Sequence, residues 1–328
     1  MISPVLIVMI VLSVIFDFLN GIHDSSNIVA TMIASRAFSP RVALGITAVA
    51  HFIAPYIFGV AVATTIGHEV VAAEAITMSV LIAALASAIL WNILTWGLGI
   101  PSSSSHALVG GLIGAVGAAV GLRAIEWHGM EKILIALFLS PILGLVLGYL
   151  FTKIVFFLAR GATPKINTFF RRSQIVSAIA LALSHGTNDA QKTMGIITLG
   201  LVIGGVIPSF EVPLWVITIS AGAIALGTAF GGWKLIKTLG SKFYKIRPVH
   251  GFSAQLTSAF VILGASMVGG PVSTTQVVSS AIMGVGSADR VKMVRWGVAK
   301  EIMIAWIVTI PATALVAAGL YWLVEKFI

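Results

Sequence analysis

Two aspartates stand out for the apolar company they keep. Asp24 lies in Gly21-Ile22-His23-Asp24-Ser25-Ser26-Asn27, and Asp189 in Gly186-Thr187-Asn188-Asp189-Ala190-Gln191-Lys192; both segments sit inside long hydrophobic stretches. A carboxylate at membrane depth costs a few kcal/mol at least, so it faces a partner or a water-filled site. Asn27, Asn188 and Gln191 add amide donors and carbonyl acceptors around the pair. Two hydroxyl runs follow, Pro101-Ser102-Ser103-Ser104-Ser105-His106 and Pro271-Val272-Ser273-Thr274-Thr275-Gln276. Hydroxyls and backbone N–H groups at a helix start suit an oxyanion, and hydroxyl oxygens equally suit a hard cation such as Na⁺.

An anion site holding two carboxylates has a charge problem. Two aspartates and a multiply charged oxyanion in a low dielectric repel by several kcal/mol. Something positive must enter with the anion: a hard cation such as Na⁺ or Mg²⁺, or a proton on the aspartates or on His23. Lys192, where the first motif has Asn27, offers one permanent positive charge or else snorkels out of the site. Asp17, two turns before Asp24 and without a counterpart in the second motif, reads equally as a ligand or as a structural pair or cap. His51, His106 and His185 read as hydrogen-bonded packing residues. Coupled movement of anion and cation follows from this balance.

The elements that must carry these residues are membrane spans. The chain of 328 residues is 58% hydrophobic and 9% charged, with a mean hydropathy of +1.06. A soluble domain carries about 25% charged residues, so lipid must cover most of this molecule. The net charge of +9 is spread over short loops, where it orients the chain; no nucleic-acid partner is expected. With no cysteine, thiolate metal sites and thiol catalysis are excluded. The apolar N-terminus lacks a basic leader region and reads as a retained span.

Apolar stretches long enough to span, about 20 residues, run without interruption over 42–66, 134–158, 212–230 and 302–324. Four more are interrupted by helix-breaking or capping residues: 2–35 at 20–27, 76–122 at 99–106, 173–207 at 184–192 and 251–286 at 269–276. The order broken, whole, broken, whole occurs twice. Asp24 and Asp189 are 165 positions apart, Pro101 and Pro271 are 170 apart, so two motif pairs recur in register. That is an internal duplication: a first repeat over 1–160, a basic linker over 161–172 and a second repeat over 173–328. Lys and Arg crowd 36–41, 160–172, 234–247 and 290–300, and are absent from 67–75 and 209–213, which carry Glu69, Glu74 and Glu211. With the basic loops in the cytoplasm, the two repeats have opposite orientation, the second broken stretch of each is a re-entrant hairpin, and both termini are external. The loop 123–132 fits least well, with Arg123 and Lys132 offset by Glu126 and Glu131. The expected fold is an all-α polytopic membrane protein of two inverted-topology repeats, with broken transmembrane helices and re-entrant helical hairpins. Broken helices at membrane depth line cavities, and four of them around a pseudo-two-fold axis form the midplane site of a secondary transporter.

In these residues the chain resembles the inorganic phosphate transporter (PiT) family. The Gly-x-Asn/His-Asp motif is matched at Gly21–Asp24 and Gly186–Asp189, and the Pro-x-Ser-Ser/Thr-Ser/Thr-His/Gln motif at 101–106 and 271–276. The resemblance spans nearly the whole chain. It implies a phosphate symporter driven by Na⁺ or H⁺, without a cofactor, usually a homodimer, in the plasma membrane of a prokaryote. It places Asp24, Asn27, Ser104, Ser105, Asn188, Asp189, Thr274 and Thr275 on phosphate. It places Asp24, Asp189, Asn188, Ser103 and Ser273 on Na⁺, and makes His23, Gln191 and Lys192 coupling or selectivity residues. His23 and Gln191-Lys192 depart from the sodium-coupled pattern and are similar to a bacterial branch associated with proton coupling and metal–phosphate uptake. The rivals are a sulfate permease of the same superfamily, which lacks the paired motifs, and an intramembrane hydrolase built on Ser105, His106 and an Asp. The second copy carries Gln276 in place of His106, and this weighs against catalysis.

Overall fold

The computed structural model describes residues 3–68, 76–233, 235–236 and 244–328. Glu69 and Glu74, and Lys234, Lys237 and Lys242, on which part of the loop-charge reading rests, lie outside the described residues.

The first half runs α1 (Pro4–Ala34), α2 (Pro40–Phe58), α3 (Ala61–His68), α4 (Met78–Leu98), α5 (Ser104–Ala119), a 3₁₀ turn (Leu122–Ala124) and α6 (Trp127–Leu158). The second runs α7 (Ile166–Ile203), α8 (Leu214–Phe230), α9 (Pro248–Met267), α10 (Thr274–Asp289), a 3₁₀ turn (Val291–Met293) and α11 (Trp296–Val324). Five of the described helices are long and apolar enough to cross a membrane, and α6 and α11 turn side chains such as Ile142, Ile307 and Leu315 outward. The chain is a multi-pass membrane protein. α7 begins inside the stretch expected to be a linker, so part of that basic segment is helical.

Packing between the halves is reciprocal. α1 lies against α8 as α7 lies against α2, and α5 lies against α11 as α10 lies against α6. Within each half the hairpin arms pair, α4 with α5 and α9 with α10. Both hairpins are made the same way. Gly99 (φ +71°) and Gly269 (φ +73°) terminate the first arm or its turn in the left-handed region, which glycine adopts without a Cβ penalty. Pro101 and Pro271 cannot continue a helix. Ser103 and Ser273 then cap the second arm by accepting from the His106 and Gln276 N–H groups. The breaks expected at 99–106 and 269–276 are therefore present.

The breaks expected at the aspartates are not. α1 and α7 run without interruption through Asp24 and Asp189. Neither segment contains proline, and the polar side chains support the helix: Ser25 and Ser26 donate to the Ile22 and His23 carbonyls, Ser184 and Thr187 to those of Ala180 and Leu183. Instead, the stretch 42–66, expected to be whole, breaks at Gly59 (φ +76°), whereas 212–230 is whole as expected, forming α8 and ending at Gly231 (φ +73°). A single glycine within an unbroken apolar run gives no compositional sign of a break.

Small residues let the crossing helices close up. A Cβ on Gly114 of α5 would sit 1.9 Å from the Ala314 carbonyl oxygen of α11, and one on Gly284 of α10 would sit 2.1 Å from that of Leu145 on α6. Gly114→Ala and Gly284→Ala are each expected to cost about 1–3 kcal/mol through overpacking. Thermal unfolding in detergent checks this, with Gly222→Ala, which meets nothing within 4 Å, as the neutral control.

Candidate functional site

The two hairpin tips meet where α1 and α7 cross them. Ser273 Oγ donates to Ser103 Oγ at 2.7 Å, so the two cap residues touch each other. Around this contact each carboxylate is held by hydroxyls of the hairpin tips. Asp24 Oδ2 accepts from Ser104 at 3.2 Å, and Asp24 Oδ1 accepts from Thr275 of the opposite hairpin at 2.8 Å. Asp189 Oδ2 accepts from Thr274 of its own hairpin at 2.9 Å. The residue three positions on completes the exchange in each half. Asn27 donates to Asp24 and to Thr275, at 3.1 and 2.8 Å. Lys192, at the matching position, pairs with Asp189 and donates to Ser105 Oγ at 2.6 Å and to the Val272 carbonyl at 3.0 Å. The duplicated motifs thus form one crossed site, each Asp helix reaching both tips.

Every one of these side chains is buried: Asp24 and Asp189 are 0% exposed, Ser105 4%. A buried ammonium is stable only when paired and hydrogen-bonded, and Lys192 has three partners. It does not snorkel. Asp24 has no lysine; His23 Nδ1 lies 3.0 Å from its Oδ1.

One residue that sequence reasoning assigns to packing belongs here. His185 places Nε2 3.1 Å from Asp189 Oδ2, off the hydrogen-bonding direction. Ligand atoms of Asp24, His185 and Asp189 all lie within 4.8 Å of one another. The i,i+4 spacing of His185 and Asp189 on one helix face is the signal that could have found it. His185 stacks on His51, ring centroids 4.8 Å apart, and His51 Nδ1 meets Thr228 Oγ1 at 2.8 Å.

Two expected site residues are engaged elsewhere. Gln191 accepts from the Val62 and Ala63 N–H groups and donates to the Gly59 carbonyl, at 2.7, 3.3 and 2.6 Å. It caps α3 and bridges the Gly59 break. Its reach across that gap satisfies backbone groups that burial would otherwise strand. Asn188 turns its amide NH₂ to Ser266 Oγ (2.8 Å) and the Gly270 carbonyl (3.1 Å), while His23, its counterpart, faces Thr95. His106 bonds Ser103, 2.8 Å from Nδ1; Ser105 faces Lys192 and Val272, so Ser105 and His106 form no nucleophile–base pair.

The donor set fits an anion together with a cation. Four hydroxyls and the N-termini of α5 and α10 converge on one place. The carbonyl oxygens of Asn27 and Asn188 are buried without a partner. Uncommitted buried carbonyl oxygens in a site with two carboxylates are ligands of the kind a hard cation takes, although His23, His185 and Lys192 also place nitrogens against the carboxylates.

Known proteins bear on this site. The model of the phosphate transporter family matches the chain twice, over residues 20–166 and 159–317. A protein of Rhizobium meliloti named "probable low-affinity inorganic phosphate transporter" is 46% identical over 321 residues, covering 97% of this chain and 96% of its own. One of the same name from Bacillus subtilis is 45% identical over 323 residues, with 97% of each chain covered. Among solved structures, "The sodium-dependent phosphate transporter" superposes with a TM-score of 0.89 at 26% identity, covering 99% of this chain and all of that one.

The Lys192–Asp189 pair yields a stability test. Lys192→Met leaves a buried carboxylate without its cation and is expected to cost about 3–5 kcal/mol. Adding Asp189→Asn removes both charges and should recover most of that loss. A double-mutant cycle on thermal unfolding reads the coupling.

Proposed function

Because the chain belongs to the phosphate transporter family, we propose that it imports inorganic phosphate together with a cation, Na⁺ or H⁺, by alternating access. The observation that carries this reading is the crossed site, with two buried carboxylates held by hydroxyls of both hairpin tips. Phosphate needs those same hydroxyls and helix N-termini. As it enters, Ser104, Thr274 and Thr275 turn from carboxylates to phosphate oxygens, Ser105 turns from the Val272 carbonyl, and the carboxylates lose those hydroxyl donors. Asp189 keeps Lys192, whereas Asp24, which has no lysine, is then stable in a dry site only with an added positive charge. Binding of anion and cation is thereby coupled through a shared pool of donors. Asp24, Asp189 and the free carbonyl oxygens of Asn27 and Asn188 hold the cation; Ser103 and Ser273 join it when their mutual bond opens.

The access step follows from the tip contact. Moving either hairpin breaks the Ser103–Ser273 bond and exposes the site to one face, while the other hairpin still seals it. Two inverted repeats, 1–160 and 173–328 about the basic segment 161–172, make the two moves equivalent, with both termini external and a homodimer as the assembly in the plasma membrane. The solved neighbour is named as sodium-dependent, which favours Na⁺. His23 on Asp24 and Lys192 on Asp189 favour the second reading, a proton and a metal–phosphate complex, since each carboxylate already has a basic nitrogen beside it.

Labelled phosphate is expected to accumulate in proteoliposomes under a Na⁺ gradient or a pH gradient applied separately. Uptake under neither, with sulfate accumulating instead, would sink the proposal in favour of a sulfate permease. Asp24→Asn and Asp189→Asn should each lower accumulation by at least about a hundredfold, the scale of losing a charged ligand worth some 2.7 kcal/mol, at unchanged membrane content.

A further inference from the structure

A third buried carboxylate has no place in the central site. Asp17 lies seven residues before Asp24, about 10 Å nearer the start of α1 at 1.5 Å per residue. It is 0% exposed. Its Oδ1 accepts from Thr193 Oγ1 at 2.7 Å, and its Oδ2 has no partner. Asn20, one turn on, is equally buried, and neither its amide oxygen nor its nitrogen has a partner. Ser220 of α8 faces the same carboxylate, and the charged groups whose field reaches it are Asp189 and Lys192 of α7. Lys192 is already held by Asp189, Ser105 and Val272. α4 and α8, both packed on α1, carry no titratable side chain. On α2, His51 is engaged with Thr228 and His185.

Asp24 and Asp189 each have a basic side chain at contact distance; among the described residues, Asp17 has none. One hydroxyl cannot offset the cost of an isolated buried carboxylate, so the group takes up positive charge. Asp17 and Asn20 are three residues apart on one helix face. They present two uncommitted oxygens, with the hydroxyls of Thr193 and Ser220 nearby, an oxygen-only set suited to a hard cation or a proton.

We propose that Asp17, Asn20, Thr193 and Ser220 form a second cation site, outside the phosphate cradle and on its N-terminal side along α1, which holds one coupling cation, H⁺ or Na⁺. Thr193 adjoins Lys192 in sequence, so occupancy of this site is felt on α7 beside the central one. The inference rests on the symport reading.

The test compares two activities of the reconstituted protein. Counterflow exchanges labelled for unlabelled phosphate without net cation movement; accumulation requires a gradient of pH or of Na⁺. In Asp17→Asn the neutral amide stands in for the occupied carboxyl. Counterflow is expected within about threefold of wild type, with gradient-driven accumulation reduced by at least about tenfold. Loss confined to the pH arm identifies the cation as a proton, and loss confined to the Na⁺ arm identifies it as Na⁺. Asn20→Ala should raise the half-saturating cation concentration by about threefold or more and leave that for phosphate unchanged. Accumulation by Asp17→Asn within about twofold of wild type under both gradients overturns the inference alone. Parallel loss of counterflow makes Asp17 structural and overturns it too. A wild-type protein without counterflow overturns the symport reading, and the inference falls with it.

Discussion

A pair of aspartates within 4.8 Å of a common histidine and of each other, sealed from water inside a lipid-covered protein, is the constraint from which the architecture follows. At that separation two like charges in a low dielectric repel by several kcal/mol, and each has also lost its hydration. The fold answers with donors. Hydroxyls come from two hairpin tips, amide hydrogens from Asn27, an ammonium from Lys192, and helix N-termini point into the same space. Supplying them requires the chain to turn back twice at membrane depth. The Gly–x–Pro–x–Ser turn does this: a left-handed glycine, a proline that cannot continue the helix, and a serine that caps the next one. The glycines of α5 and α10 then let the tips be pushed together from behind by α11 and α6.

The same donors that stabilise the carboxylates are those an oxyanion would use. That competition separates this site from a rigid anion trap, in which donors are fixed and unoccupied. On the proposed reading the ligand would take the place of an internal acceptor, so binding would rearrange the contacts that hold the tips shut, and affinity and access would share one set of hydrogen bonds.

Much of this is legible in the sequence because its chemistry is local. Asp24, Asp189 and the hydroxyl runs are polar residues in apolar surroundings, and their duplication in register points to the residues that meet in space. The hairpin breaks carry Gly and Pro together. The aspartate helices read as broken because serine and asparagine favour caps; in the fold their hydroxyls bond back to the preceding turn, which only coordinates reveal. The real companion break at Gly59 leaves no signature, since a lone glycine in an apolar run is compatible with a continuous helix. The bonds of Gln191 to the α3 start are hidden for a related reason: they serve a break that is itself invisible in the sequence. His185 reads as packing, although its spacing from Asp189 is already suggestive. Cross-half partners such as Thr275 with Asn27, 248 residues apart, follow from how the halves interlock and from nothing local.

The duplication is imperfect at one telling position. Where the first half presents Asn27 to the opposite hairpin, the second presents Lys192. One half-site is therefore self-neutralised while the other retains a carboxylate shared only with a histidine and neutral donors. The cradle has a polarity across its own symmetry axis, positive toward Ser105 and Val272 and negative toward Ser104 and Thr275. On the proposed reading, an ion pair entering the cradle would meet a built-in asymmetry, with the added cation needed most beside Asp24, which has no lysine. A cradle with asparagine at both positions would have no such asymmetry; the lysine creates it.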